Sequence, residues 1–228
     1  MSPSPAVLLP GTASDEVFVA RVFGRPLAEA GFAPATPAVR GVRECFEALD
    51  AAWSGTPLLV GGISLGAHVA TAWAVRHPGR CAGVLAALPA WLGPAGGAPA
   101  ALAAAASAAA VEAAGLEAAL TGVDGWLGEE LRRAWPRYGG RLAGVLREAA
   151  GSRAPTAAEL GGVVVPVGVA ACADDPVHPL AIARTWVDAL PRGALRTTTL
   201  AALGADPESL GRAALAAYAE ASGMALPG

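Results

Sequence analysis

A serine flanked by glycines, set between an apolar run and a helical run, constrains the fold of this chain most strongly. Residues 58–61 are apolar, as in a strand that is buried on both faces, and residues 67–75 are good helix formers. Between them, residues 62–66 read Gly-Ile-Ser-Leu-Gly. A strand, a Gly-x-Ser-x-Gly motif and a helix in this order predict a sharp turn that exposes the Oγ of Ser64. Glycines suit such a turn because a Cβ there would collide with the neighbouring strand and helix.

The exposed hydroxyl makes Ser64 a candidate nucleophile. The backbone N–H of Leu65, at the start of the helix, points to the same place and can stabilise an oxyanion. The alternative is a chance match of a short pattern in a glycine-rich chain. The flanking strand and helix favour the turn.

Length and charge limit the possible classes of protein. A chain of 228 residues is most economically one domain, 1–228, with a sizeable core. The net charge of −3 and the lack of a basic run argue against a nucleic-acid partner. Alanine contributes much of the 54% hydrophobic content, which predicts many closely packed helices.

The cysteines and the N-terminal residues favour a cytoplasmic protein. The three cysteines are scattered, without a metal-binding spacing, and fit a reducing compartment. No signal peptide is visible at the N-terminus. The alanine tract at 99–114 contains Glu112 and little leucine, so we expect a helix of a soluble protein rather than a membrane span.

Strand-like and helix-like segments alternate along most of the chain. In addition to the strand that leads to Ser64, the predicted strands are 6–9, 32–39, 82–88, 163–170 and 194–200. In addition to the helix that follows Ser64, the predicted helices are 15–30, 43–53, 180–190 and 206–221. This alternation predicts parallel pairing, with ligands at the carboxyl ends of the strands. Residues 93–160 differ, because they read as helices broken by glycines. We interpret them as a helical insertion that covers the sheet.

These blocks together resemble the α/β-hydrolase superfamily. The matching segments are 8–12, 61–66, 88–91 and 174–179, and the resemblance spans nearly the whole chain. It implies a three-layer α/β fold with a mostly parallel sheet of about six strands, without the first two strands of the family sheet, and with 93–160 as a helical lid. Within the superfamily the chain resembles small hydrolases of actinobacterial type, a resemblance that names no substrate.

The resemblance also implies roles for individual residues. Ser64 matches the nucleophile, and the N–H of Leu65 matches one donor of the oxyanion hole. Thr12, which follows Pro-Gly where many relatives have His-Gly, would supply the second N–H. Asp175 matches the catalytic acid, with Asp174 as the alternative acid or a substrate contact.

The chain departs from the family at the catalytic base. The family places a histidine after the last strand, but residues 203–206 read Leu-Gly-Ala-Asp, and no histidine follows His178. His178 lies three positions after Asp175, so the two side chains could pair. His178 could then be a relocated base, a donor to substrate or a structural residue. We expect His68 to pack under the helix after Ser64. His77 lies at the far end of that helix, roughly 20 Å from Ser64 along the axis, and therefore cannot reach the Ser64 hydroxyl.

Other side chains have two plausible roles each. Trp91 leaves a predicted strand near the site, where it could line an acyl pocket or merely pack. The aromatic residues of the insertion could face substrate or seal it against the body: Trp126, Trp135 and Tyr138. The charged residues 129–130 and 132–133 are typical of a solvated helix face, and Ser14 or Asp15 is typical of a helix cap.

Three functions fit these patterns. The first is a serine hydrolase acting on an ester or thioester of a small, apolar acyl group. The second is a binding protein that kept the fold without the activity, because a fold does not imply a function. The third is a lyase or cyclase that moves a proton through Asp175 or His178 and stabilises an enolate in the oxyanion hole. No cofactor or metal is expected, since the sequence shows no phosphate-binding loop or ligand cluster. An exposed apolar lid would favour a homodimer or a substrate entrance.

Overall fold

The computed structural model describes residues 3–226, and these contain one parallel sheet of six strands. The sheet has the order β2-β1-β3-β4-β5-β6. Its strands are β1 (Ser4–Leu9), β2 (Phe32–Ala35), β3 (Leu58–Ile63), β4 (Cys81–Ala87), β5 (Val167–Cys172) and β6 (Gly193–Thr198). The predicted α/β class and parallel sheet are confirmed.

Helices cover both faces of this sheet. They are α1 (Glu16–Glu29), α2 (Val42–Ala52), α3 (Leu65–Arg76), α4 (Pro99–Ala119), α5 (Gly125–Ala134), α6 (Leu142–Ala150), α7 (Ala157–Gly161), α8 (Leu180–Ala189), α9 (Leu200–Ala205) and α10 (Glu208–Ser222), with a 3-10 helix, Trp135–Arg141, before α6. One apolar core joins the sheet to α2, α3 and α8, and a second joins it to α1 and α10. The fold therefore has three layers.

Burial explains why the central strands have such uniform sequences. Every residue of β3 and of β5 is buried, because helices pack on both sides of them. β2 lies at an edge of the sheet, where Pro34 is tolerated since no neighbour needs its missing N–H.

The insertion between β4 and β5 consists of helices joined by loops, with one isolated bridge between Pro94 and Arg153. It contains α4 to α7, in the region that the sequence predicts to be a lid. α4 bends at Gly115, which has a φ of +82°. A third apolar cluster joins α4, the 3-10 helix and α6 to Ala13 of the body.

Several boundaries differ from the predictions. β2 ends at Ala35 rather than at residue 39, and the Val39 N–H donates to the Pro37 carbonyl instead. β5 begins at Val167 rather than at residue 163, because the Val163 N–H donates to the Leu160 carbonyl at the end of α7 and Pro166 has no N–H for the ladder. The predicted last helix, 206–221, corresponds to α10, but a further helix that was not predicted, α9, precedes it. α9 begins where the predicted strand 194–200 ends, because the hydroxyl of Thr199 accepts from the Ala202 N–H and caps this helix.

Within residues 3–226, α4 is the one helix that is long and apolar enough to cross a membrane. This finding rests on length and composition alone. Our expectation that α4 belongs to a soluble protein stays a prediction.

The close docking of α10 on β5 gives a test of the fold. A Cβ at Gly168 would lie 2.8 Å from the Cα of Tyr218 and closer still to the Ala214 carbonyl oxygen, so Gly168→Ala should force the two backbones apart. We expect the free energy of unfolding to fall by about 1–3 kcal/mol in urea denaturation. Gly24→Ala is the matched control. A Cβ at Gly24, within α1, would have no atom within 4 Å, so this change should raise the free energy of unfolding by up to about 1 kcal/mol. Equal stability of Gly168→Ala and the parent would contradict this packing.

Candidate active site

Ser64 lies at a strained turn between β3 and α3. Its backbone has a φ of +54° and a ψ of −111°, a conformation that is uncommon for a residue with a side chain. The Ser64 N–H donates to the Ala87 carbonyl of β4 at 2.8 Å, and the Ser64 carbonyl accepts from the His68 N–H at 3.1 Å. These two hydrogen bonds hold the strained turn between the sheet and the first turn of α3.

The glycines on either side of Ser64 allow β1 to approach the turn. A Cβ at Gly62 would collide with the Leu9 carbonyl oxygen, and one at Gly66 would meet the carbonyl oxygens of both Leu9 and Pro10. The Gly-x-Ser-x-Gly motif therefore follows from the packing of β1 against the turn. The predicted strand–turn–helix around Ser64 has this physical basis.

The structure brings Ser64, His178 and Asp175 into one hydrogen-bonded chain. His178 Nε2 lies 3.0 Å from Ser64 Oγ, and His178 Nδ1 lies 2.9 Å from Asp175 Oδ2. A carboxylate can only accept, so the proton of a neutral His178 sits on Nδ1. Nε2 is then free to accept the hydroxyl proton of Ser64. This geometry is that of a nucleophile, a base and an orienting acid.

Asp175 orders the short loop that carries His178. Its Oδ1 accepts from the Val177 N–H at 2.7 Å and from the His178 N–H at 3.1 Å, and the residue is 9% exposed. Burial alone would raise the pKa of the Asp175 carboxyl, but the His178 side chain and these backbone donors hold that pKa below its ordinary value. Asp175 is therefore ionised at neutral pH.

The loop after β6, where the family places its base, has another use here. It forms α9, and Leu200 and Leu203 of this helix line the cavity beside Ser64. The histidine next to Ser64 comes from the loop after β5 instead.

The two predicted oxyanion donors flank Ser64. Leu65 is the first residue of α3, and an N–H at this helix position has no partner within the helix. Thr12 lines the same cavity and follows Gly11, where an added Cβ would lie 3.6 Å from the Cβ of Ser64. The loop of residues 11–14, here called the oxyanion loop, is closed by a hydrogen bond from the Ser14 N–H to the Gly11 carbonyl at 3.1 Å.

Backbone strain in the described chain is concentrated around this site. Among residues 3–226, the non-glycine residues with positive φ are Ala13, Ser64 and Leu88, and all three line the cavity. Such conformations cost free energy and persist where the surroundings enforce them, often at functional sites. The strain at Ala13 and Leu88 was not predicted from the sequence, since no local motif marks these residues.

A cavity of about 480 Å³ opens in front of Ser64. This volume suits a small ligand. Most of its wall is apolar. The insertion contributes Ala100, Ala103, Ala104, Trp126, Leu127, Leu131 and Trp135 among others, and the body contributes Trp91. Asp174 lies elsewhere: it is exposed, and its Oδ1 accepts from the Leu200 N–H at 2.8 Å.

His68 supports the segment that carries Trp91. Its Nε2 accepts from the Ala90 N–H at 3.0 Å, and its ring packs between Trp91 and Trp186. Trp186 in turn donates from Nε1 to the Trp91 carbonyl at 3.0 Å. Burial, reinforced by the nearby His178, lowers the pKa of His68 to about 3. His68 is thus a neutral packing residue, as predicted.

The charged stretch of α5 is only partly a solvated face. Glu129 and Arg132 are exposed, as predicted, but Glu130 and Arg133 are partly buried and form ion pairs with the body. The prediction is wrong for these two residues, because they face α1 across an interface. Asp15 caps α1 as predicted and also binds Arg133.

Comparisons with known proteins identify the fold. No protein-family model and no curated protein sequence matches this chain. Solved structures do match. MenH from S. aureus aligns with a TM-score of 0.73 at 15% identity, covering 97% of this chain and 95% of that one. An enol-lactonase from Burkholderia xenovorans LB400 aligns with a TM-score of 0.67 at 16% identity, covering 88% of this chain and 84% of that one. A thermophilic esterase from Thermogutta terrifontis aligns with a TM-score of 0.64 at 17% identity, covering 93% of this chain and 88% of that one. The chain therefore has the α/β-hydrolase fold.

The lowered pKa of His68 predicts a pH-dependent stability. Above about pH 6.5, the ordinary value, both folded and unfolded chains carry a neutral ring. As the pH falls from there toward 3, the unfolded chain binds a proton that the folded chain excludes. The free energy of unfolding should then fall by up to about 1.4 kcal/mol per pH unit from this group.

The variant His68→Gln isolates this contribution, because Gln keeps an acceptor for the Ala90 N–H but does not titrate. Urea denaturation between pH 7.5 and pH 4.5 should show a shallower loss of stability in this variant than in the parent. Parallel curves for the two proteins would contradict the assignment of a neutral, buried His68.

Proposed function

We propose that this protein is a serine hydrolase that cleaves an ester or thioester of a small, apolar acyl group. The observation that carries the proposal is the chain of hydrogen bonds from Ser64 Oγ through His178 to Asp175, at the carboxyl end of the sheet. It lies at the wall of an apolar cavity, which is the expected setting for such a site.

In the proposed reaction, the substrate's acyl carbon lies against Ser64 Oγ. The oxygen attacks this carbon while His178 Nε2 takes the hydroxyl proton. Ionised Asp175 keeps the second proton of the imidazolium on Nδ1 and stabilises its positive charge. The tetrahedral intermediate then carries its negative charge on the former carbonyl oxygen.

The backbone N–H groups of Leu65 and Thr12 are the proposed donors to that oxygen. His178 next gives its proton to the leaving alcohol or thiol, and an acyl-enzyme remains on Ser64. Water, deprotonated by the same histidine, attacks the acyl-enzyme and releases the acid. No cofactor or metal takes part in these steps.

The apolar wall of the cavity favours a substrate with an apolar acyl group. Alanines from α4 and the indole rings of Trp91, Trp126 and Trp135 offer contact area but few hydrogen bonds. A nonpolar chain would gain most from burial there. Two of the similar structures are an esterase and an enol-lactonase, which agrees with ester chemistry as an analogy of fold.

The alternative of an inactive binding protein rested on the histidine that is missing after the last strand. His178 Nε2 lies 3.0 Å from Ser64 Oγ, so a histidine is available as the base and the missing C-terminal histidine no longer favours an inactive protein. The lyase or cyclase alternative has no observation that favours it over hydrolysis. A cytoplasmic location and a homodimer remain predictions.

Steady-state hydrolysis of a short-chain p-nitrophenyl ester tests the proposal. We expect Ser64→Ala and His178→Ala to lower kcat by about 10³-fold or more, because the nucleophile and its base act as a unit. Asp175→Asn should lower it by about 10⁴-fold, through the wrong histidine tautomer. His77→Ala is the matched control, since His77 lies at the far end of α3, outside the cavity lining, and should retain full kcat.

Two outcomes would contradict the proposal. A folded parent protein that hydrolyses none of a panel of esters and thioesters with acyl chains of two to eight carbons, as a rough range, would exclude the proposed substrate class. Unchanged kcat in His178→Ala would exclude the relocated base.

A further inference from the structure

The oxyanion loop is followed by a buried carboxylate that the proposed reaction does not use. Within residues 3–226 two carboxylate residues are buried, Asp15 and Asp175. Asp175 orients His178. Asp15 is 0% exposed and directly follows the loop that carries Thr12, so its burial calls for a separate explanation.

The two oxygens of Asp15 bind different parts of the protein. Oδ1 accepts from the Val17 N–H at 3.0 Å and from the Phe18 N–H at 3.1 Å, which caps α1. Oδ2 faces the insertion, where it accepts from Arg133 of α5 and from Arg137 of the 3-10 helix, the latter at 3.3 Å. Burial alone would raise the pKa of Asp15, but Arg133 and the Phe18 amide hold that pKa below its ordinary value. Asp15 is therefore a carboxylate with an ionic partner on the insertion.

The two preceding residues also contact the insertion. The Tyr138 hydroxyl donates to the Ser14 carbonyl oxygen. Ala13, 2% exposed, packs in the apolar cluster that contains Trp135 and other side chains of the insertion. Every residue from 13 to 15 is thus held by the insertion.

These contacts act on a backbone that needs support. Ala13 has a φ of +54°, which an alanine adopts only where its surroundings enforce it. The Thr12 N–H, the proposed oxyanion donor, lies one residue before it. If the insertion moved away, Ala13 would lose its packing, Ser14 its hydrogen bond and Asp15 its counterions together.

We infer that Asp15, Arg133 and Tyr138 form a clasp that couples the closed position of the insertion to the active conformation of the oxyanion loop. This inference rests on the proposed function. The three are positioning residues, which act through the Thr12 N–H. The oxyanion hole is then complete only while the insertion covers the acyl group, so the charged intermediate forms only in the closed, water-poor cavity.

The clasp predicts a specific kinetic effect. Losing one oxyanion donor typically lowers kcat by about 10²–10³-fold, so a mispositioned donor should cost about 10-fold to 100-fold. The loss should appear in kcat, with KM for a short-chain ester changed less than threefold as a rough limit, because the donor acts mainly on the transition state.

Arg133→Gln and Tyr138→Phe are the test variants. Each removes one bond of the clasp, and Tyr138→Phe introduces no change of charge. Arg133→Lys should restore part of kcat, since it returns the positive charge to Asp15. Glu112→Gln is the matched control, because it removes an ion pair with Arg147 inside the insertion, away from the oxyanion loop.

Hydrogen exchange of the amides in residues 11–15 gives a readout that does not depend on turnover. We expect faster exchange in Arg133→Gln and Tyr138→Phe than in the parent and in Glu112→Gln, with unchanged exchange in β3 as the check on folding.

The outcomes separate this inference from the proposed function. Full kcat and parental exchange in both test variants, in a protein whose parent hydrolyses esters through Ser64, would overturn the clasp alone. A parent without hydrolysis would overturn the proposed function and the clasp with it. A lower kcat with unchanged KM, faster exchange at 11–15 and partial rescue by Arg133→Lys would support the clasp.

Discussion

The hydrogen bonds that Asp175 accepts from its own loop determine the chemistry of this site. One carboxylate oxygen accepts two backbone N–H groups of residues 177 and 178, and the other accepts the Nδ1–H of His178. The same short loop therefore supplies the acid, fixes the backbone under the base and sets its tautomer. Because β3 and β5 are parallel and only β4 lies between them, this loop lies at the same edge of the sheet where β3 presents Ser64.

The side of the cavity formed after β6 is apolar. The segment after β6 contains no histidine, and α9 contributes Leu200 and Leu203 to the wall. Gly204 is in close contact with Trp126 of the insertion, where a Cβ would collide with the indole ring.

The parts of this structure with local signals were predictable from the sequence. The turn at Ser64 follows from glycines that sterics require, and the strands follow from apolar runs that burial requires. The pairing of His178 with Asp175 was accessible from their spacing, but the contact with Ser64 depends on strand order and was left open. The ion pair of Asp15 with Arg133 had no local signal, because 118 residues separate them. Helix-face patterns likewise could not show that Glu130 and Arg133 face the body.

The most direct test of the central claim, that His178 activates Ser64, is the rate of covalent labelling by a fluorophosphonate, followed by intact mass. The account predicts a single label on the parent protein, none on Ser64→Ala, and labelling at least about 10²-fold slower on His178→Ala. A folded parent that stays unlabelled, or a His178→Ala variant that is labelled at the parental rate, would contradict it.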